Sequence, residues 1–197
     1  MKQLSFIALA FMALAACCTE DSEMCPEPST QTNSNPSPNF LAIKTATTRP
    51  FHANLFTSVD PDPNIPPTPC SGDIPGFANP GVFMHGTATH LGALQYQSSR
   101  IQDVACDLNV TTMLLTTSFS GQLAAANGDL IYVSGDDVID ASTFLTGAGT
   151  TGTITGTWTI NGGTGRFAGA TGSFTINGPV DFATTSFSCV CNGTITY

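Results

Sequence analysis

Along the last third of the chain, apolar and polar residues alternate with a period of two. Ile154, Gly156, Trp158 and Ile160 fall on one face, and Thr155, Thr157 and Thr159 on the other. Gly172, Phe174 and Ile176 alternate in the same way against Thr171, Ser173 and Thr175. Successive side chains of a strand point to opposite faces, so this pattern predicts strands with one apolar and one threonine-rich face. β-Branched threonine suits such a half-buried pleated surface. No stretch of helical period runs longer than about ten residues.

Read along the chain, the pattern predicts strands over 49–58, 82–90, 92–98, 107–119, 128–134, 138–145, 151–161, 165–176 and 182–196. Asn-Gly pairs at 127, 161, 177 and 192 are hairpin signals, because both turn residues must accept positive φ. Residues 155–162 (TGTWTING) and 171–178 (TGSFTING) echo each other at an offset of 16 residues. The echo predicts two successive strands of a meander, each ending in the same turn. Eight or nine strands with short connections throughout, one loop excepted, predict an all-β fold: a single antiparallel β-barrel over 49–197. Closure of the sheet would also remove the exposed edges of so threonine-rich a structure.

Proline marks what is not strand. Seven of the thirteen prolines fall between Pro61 and Pro80, whereas Pro179 is the single one after Gly81. Proline removes a ladder donor, so residues 60–80 read as a loop. Residues 17–48 are rich in Ser, Thr, Asn and Pro, with few large apolar groups before Phe40. Such a segment cannot bury enough surface to order itself and reads as a flexible tether.

The first 16 residues are of another kind. Lys2 precedes an apolar run from Leu4 to Ala16, 13 residues long, and small residues lead into Cys17. The run is too short to cross about 30 Å of hydrocarbon and has the layout of a signal peptide. Leu14-Ala15-Ala16-Cys17 resembles the bacterial lipobox, which implies a diacylglycerol on the Cys17 thiol and a lipid bilayer as partner. The implied address is the bacterial cell envelope, at the outer membrane on its periplasmic or surface side. Glu20, Asp21, Glu23 and Glu27 resemble the surface-export signals of some lipoproteins, and read equally well as a solvated tether.

Charge narrows the choice of partner. The formal net charge is −9, and without Lys2 four basic residues (Lys44, Arg49, Arg100 and Arg166) face 14 acidic ones. So few cations cannot neutralise a row of phosphates, which excludes nucleic acid as the expected partner. Anionic membrane surfaces are disfavoured for the same reason. Seven cysteines fit an exported chain, and six remain if Cys17 carries lipid.

Three segments then stand together: HGTATHLG at His85 to Gly92, AANGD at Ala125 to Asp129, and GGTGRFAGATG at Gly162 to Gly172. The last resembles the glycine-rich hairpin of the dirigent and allene oxide cyclase superfamily, and all three are similar to its bacterial secreted relatives. The resemblance covers roughly 49–197 and implies an eight-stranded barrel with a central cavity. Plant members steer phenoxy-radical coupling or cyclise a fatty-acid epoxide, but their polar pocket residues have no matching motif here. The glycines permit a tight turn and close backbone approach, so the motif is one of fold and carries no chemistry by itself.

The candidate chemistry is sparse. His85 and His90 are five apart and would point to opposite faces of a regular strand. His90 reads as packing within its turn, and His52 has no evident partner. Asp60-Pro61-Asp62-Pro63-Asn64 spaces oxygens as a calcium loop begins, but Ile65 and Ser71 replace the glycine and glutamate that such a loop needs. No metal or cofactor is therefore expected. Asp136 and Asp137 follow Gly135 and read as a turn, while Asp103 and Asp107 cannot be told from surface charge. Arg166 is expected to pair with an acid at a barrel rim. Trp158, Phe167, Phe174 and Phe187 would fill the core, and His90, Arg166, Trp158 and Phe174 are the candidates for cavity or rim.

Cys189 and Cys191 are two apart, so on a strand they face the same way and cannot readily bond to each other. The expected arrangement joins Cys106 to one of them and Cys70 to the other, stapling the proline-rich loop to the last strand. Cys-X-Cys as a metal or redox site would need further ligands, and Cys18 and Cys25 are left to pair within the tether. The leading expectation is a membrane-tethered barrel module that binds a small apolar or phenolic ligand, or a surface partner, without catalysis. A cyclase or isomerase using the cavity, and a purely structural envelope protein, are the alternatives. Nothing in the sequence fixes an oligomeric state.

Overall fold

A computed structural model describes residues 45–59, 64, 66–74 and 78–197. The expected signal peptide, the expected lipid attachment at Cys17, both Cys18 and Cys25, the expected tether as far as residue 44 and the acidic loop start at 60–63 lie outside the described residues.

Among the described residues, eight long strands carry the fold: β1 (Thr48–Val59), β2 (Val82–Ala88), β3 (Arg100–Asn109), β4 (Leu114–Ala124), β5 (Leu130–Asp140), β6 (Thr151–Gly163), β7 (Thr171–Asp181) and β8 (Ser186–Thr196). From β3 to β8 each strand pairs antiparallel with the next. β8 then pairs with β1, and β1 with β2. β2 returns to β3 through Val82↔Ile101 and Phe83↔Arg100, closing the hydrogen-bonded ring. Ser71–Gly72 adds a short parallel pairing outside it, against Asp107–Leu108.

The alternation read from the sequence sets the inside of the ring. Ile154, Trp158 and Ile160 of β6 are buried and the threonines between them are exposed. Phe174 and Ile176 of β7 do likewise. Phe51, Trp158, Phe167 and Phe174 are among the largest fully buried side chains. Each such burial stabilises by about 1.5–3 kcal/mol relative to exposure, before cavity terms. The echoed segments are successive strands, with Trp158 opposite Phe174.

Several boundaries differ from expectation, each for a local reason. The strand expected over 107–119 is cut at 110–113, where Asn109 Oδ1 accepts from the backbone N–H of Thr111 (2.9 Å) and Thr112 (2.8 Å). That Asx-type turn ends β3 and starts β4. β3 itself was hidden because a bulge between Asp103 and Ala105 breaks its period. The turn expected at Asp136–Asp137 does not form: Gly135 pairs with Phe119 on one side and Trp158 on the other, so β5 runs straight through. Ser142–Leu145, expected to be strand, is one helical turn, α1, and Gly165–Phe167 is a 3-10 turn before β7 begins. Within 92–98, Gly92–Ala93 alone is strand.

Of the four Asn-Gly pairs, Asn127-Gly128 makes the β4–β5 turn, with φ +88° at Gly128. The pair at 161 marks a bulge in β6. Those at 177 and 192 lie inside strands. A Cβ at Gly178 would overlap the Ser188 carbonyl, and one at Gly193 the Ser173 carbonyl. These glycines let neighbouring strands approach where the sheet curls, a use of glycine that the hairpin signal does not distinguish.

The disulfide also differs: Cys70 bonds to Cys106, 36 residues on. Cys189 and Cys191 face the same way, as expected, but both are buried free thiols with sulfurs 3.8 Å apart. The parallel pairing of Ser71 with Asp107 brings Cys70 beside Cys106, so the proline-rich loop is stapled to β3 and not to β8. Closing a loop of this size stabilises by about 4 kcal/mol in the chain-entropy account.

Candidate functional site

One end of the ring encloses a cavity of about 170 Å³. That is the size class of the roughly 150 Å³ engineered pockets that admit a single benzene ring. Its walls follow from strand alternation: Ile101 and Asp103 of β3, Leu115 and Thr117 of β4, and Asp137 and Ile139 of β5 each sit two apart on one face. Ile154 and Trp158 of β6 continue the wall. Phe144 of α1 stacks on Phe182 with centroids 4.8 Å apart, and both border the space with Phe187. Ala78, Asn79 and Pro80 of the stapled loop supply a further wall.

Two carboxyl groups lie in this lining, which is otherwise largely apolar apart from Asn79, Thr117, Thr185 and Ser186. Asp137 is 5% exposed, and its Oδ1 accepts the indole N–H of Trp158 at 2.9 Å. Its Oδ2 accepts no hydrogen bond from the described residues. Gly156 stands opposite Asp137 in register, and a Cβ there would overlap Oδ1. The glycine is thus what leaves room for the carboxyl group. Asp103 Oδ2 accepts from the Asn79 amide, which ties it to the loop.

Burial disfavours the charged form of both acids. It raises Asp137 to about 7, against the Trp158 hydrogen bond and with help from the charges of Asp103 and Asp136. It raises Asp103 to about 6, against the Asn79 hydrogen bond. No Lys, Arg or His is among the described residues that line the cavity. The pair can hold or release protons near neutrality, and can hydrogen-bond a ligand as donor or acceptor. Among the described residues no three His, Cys, Asp or Glu side chains converge as a metal site would require.

No family model and no curated protein matches the chain. The site must therefore be read from its own geometry.

Of the residues singled out from sequence, Trp158 lines the cavity. Phe174 lies behind it, its ring centroid 5.6 Å from Trp158 and 4.7 Å from Phe51, and belongs to the core. His90 and Arg166 meet each other in the glycine-rich segment instead. The Arg166 guanidinium donates to the His90 carbonyl, and its Nε lies 3.9 Å from Asp129 Oδ2, the expected pairing with an acid. His90 has φ +69°, and its Nε2 is 3.0 Å from the Pro50 carbonyl. Phe167 beside them is fully buried against Tyr197, centroids 5.0 Å apart, and Phe187 borders the cavity.

Cys70 and Cys106 hold the loop that carries Asn79. Cys189 and Cys191 do not line the cavity. The Cys191 thiol beside it, together with burial, pushes the Cys189 thiol far up, so it stays protonated. For Asp137 the sequence holds a signal. Reading 130–140 as one strand puts Ile131, Val133, Gly135, Asp137 and Ile139 in a single inward row, where a carboxyl group demands an explanation.

Proposed function

We propose that this chain is an exported lipoprotein, anchored in the bacterial outer membrane through acylated Cys17 and tethered by residues 17–48. Its eight-stranded ring is read as a β-barrel of the dirigent and allene oxide cyclase kind, binding a small, mainly apolar ligand without transforming it. The observation that carries this reading is a largely apolar cavity, bordered by Trp158, Phe144, Phe182 and Phe187, into which Asp137 brings a carboxyl oxygen that accepts no hydrogen bond from the described residues. A few polar groups converging in an apolar hollow is the usual make-up of a small-molecule site. A purely structural envelope protein has no need of one.

Trp158 is the chain's single tryptophan and lines the cavity, so its fluorescence reports occupancy directly. Benzene, indole and phenol should change the emission saturably, and a cavity-filling Val180→Phe variant should lose the response. Silence towards all three would refute an accessible pocket. Metabolic labelling with a radioactive fatty acid tests the anchor: label in the wild type and none in Cys17→Ser is the expected result.

A second reading, a cyclase or isomerase, is favoured by the position of both acids near neutrality. It predicts that the full chain exchanges deuterium from solvent into the α-position of a small aryl ketone and that Asp137→Asn does not. Binding without exchange supports the non-catalytic reading.

A further inference from the structure

We propose that the ligand of this cavity is a protonated amine carried on a body of about one aromatic ring. The inference rests on the small-molecule reading above and adds the ligand's charge. Three observations point the same way.

First, the described lining of the cavity holds two carboxyl groups and no cation. Asp103 and Asp137 both face it, and no basic side chain is among the described residues that line it. Each ionised carboxylate withdrawn from water costs free energy unless a positive charge or several donors compensate it. Here Asp137 has the Trp158 indole and Asp103 the Asn79 amide. These are neutral donors, and among the described residues each leaves the other oxygen of its carboxyl group without a donor. An ammonium group has up to three N–H donors and the charge that is missing.

Second, the remaining wall suits the rest of such a molecule. Trp158, Phe144, Phe182 and Phe187 surround the space with ring surfaces. An apolar body packs on these, and a cation beside an indole or phenyl face gains a further electrostatic attraction. At about 170 Å³ the cavity takes one ring with a short amine arm and excludes large polycyclic or long-chain ligands.

Third, the charge of the whole chain favours a cation. Fourteen acidic residues against five basic ones attract positive ligands and repel anionic ones. A carboxylate ligand would meet both the surrounding field and the two acids inside.

The test uses the full chain and probes matched in size that differ in charge: phenethylamine, neutral 2-phenylethanol and anionic phenylacetate. Binding is followed at pH 8 by Trp158 fluorescence and calorimetry. The expected result is at least tenfold tighter binding of the amine than of the alcohol, with the anion weakest. Asp137→Asn keeps an acceptor for the Trp158 indole and should bring amine and alcohol within about threefold of each other. Asp103→Asn, a second variant against misfolding of the first, should narrow the gap in the same direction, with circular dichroism confirming the fold of both. Equal binding of amine and alcohol to the wild type overturns the charge inference and leaves the small-molecule reading intact. A wild-type amine preference that survives in both folded variants also overturns it. Failure of all three probes, together with silence towards benzene, overturns both readings.

Discussion

The cavity end of the ring and its glycine-rich segment are built from the same strands but solve opposite problems. In the glycine-rich segment, Phe167 is driven to complete burial against Tyr197, and Arg166 braces the surface by bonding to His90 and lying beside Asp129. Every inward position there is apolar or small. At the cavity end, Asp103 and Asp137 occupy inward positions, and the space beside them is left unfilled. A protein interior normally reaches close packing and pairs its buried charges. The first region obeys both rules and reads as structure. The second breaks both at one place, which is where function is to be sought.

The sharpest way to test this contrast is to damage the packed region. Phe167→Ala deletes a fully buried ring and should cost about 3–5 kcal/mol in denaturant unfolding. In protein that remains folded, ligand affinity should stay within a factor of two, since Phe167 does not line the cavity. Loss of binding in the folded variant would show that the two regions are not independent.

Removing the staple touches the other region. Cys70→Ser with Cys106→Ser should lower stability by about 4 kcal/mol and also weaken binding, because the loop carrying Asn79, Pro80 and Ala78 is then released. Stability loss with unchanged affinity would remove the loop from the site.

A smaller effect distinguishes the acid itself. The folded protein holds the Asp137 proton up to about 7, whereas the unfolded chain releases it near 4. Between those limits the folded state binds more protons, so stability is greatest below the unfolded value and falls as pH rises through about 7. Asp103 adds to the fall up to about 6. Asp137→Asn should therefore be more stable than wild type at pH 8, by a few kcal/mol, and nearly equal to it at pH 4. Thermal unfolding across this range checks the sign.

The least effect is expected at the mouth. Phe144 is 40% exposed and stacks on Phe182. Phe144→Ala should change stability by about 1 kcal/mol or less, yet speed ligand dissociation in stopped-flow fluorescence.

The same contrast explains what could be read in the sequence. The inward row of Ile154, Trp158 and Ile160, and the matching row of Phe174 and Ile176, were visible because burial of one sheet face imposes a strict period of two. The glycine-rich segment was visible because backbone geometry restricts residue choice there. Asp103 and Asp137 left no such trace. A bulge displaced the period around Asp103, and Gly135-Asp136-Asp137 has turn composition although pairing on both sides holds it in a strand. The bonding of Cys70 to Cys106 was equally hidden, because it depends on the loop lying parallel to β3. Long-range pairing, and not local propensity, decided each of these places.

The most direct test of the central claim is a titration of the aspartate side-chain carboxyl carbons by NMR, with Asp137→Asn and Asp103→Asn spectra for assignment. Two resonances should titrate near 7 and near 6 and move to lower pH when phenethylamine is added. If every aspartate titrates near or below 4, neither carboxyl group is held in a water-poor cavity, and the account of the site fails.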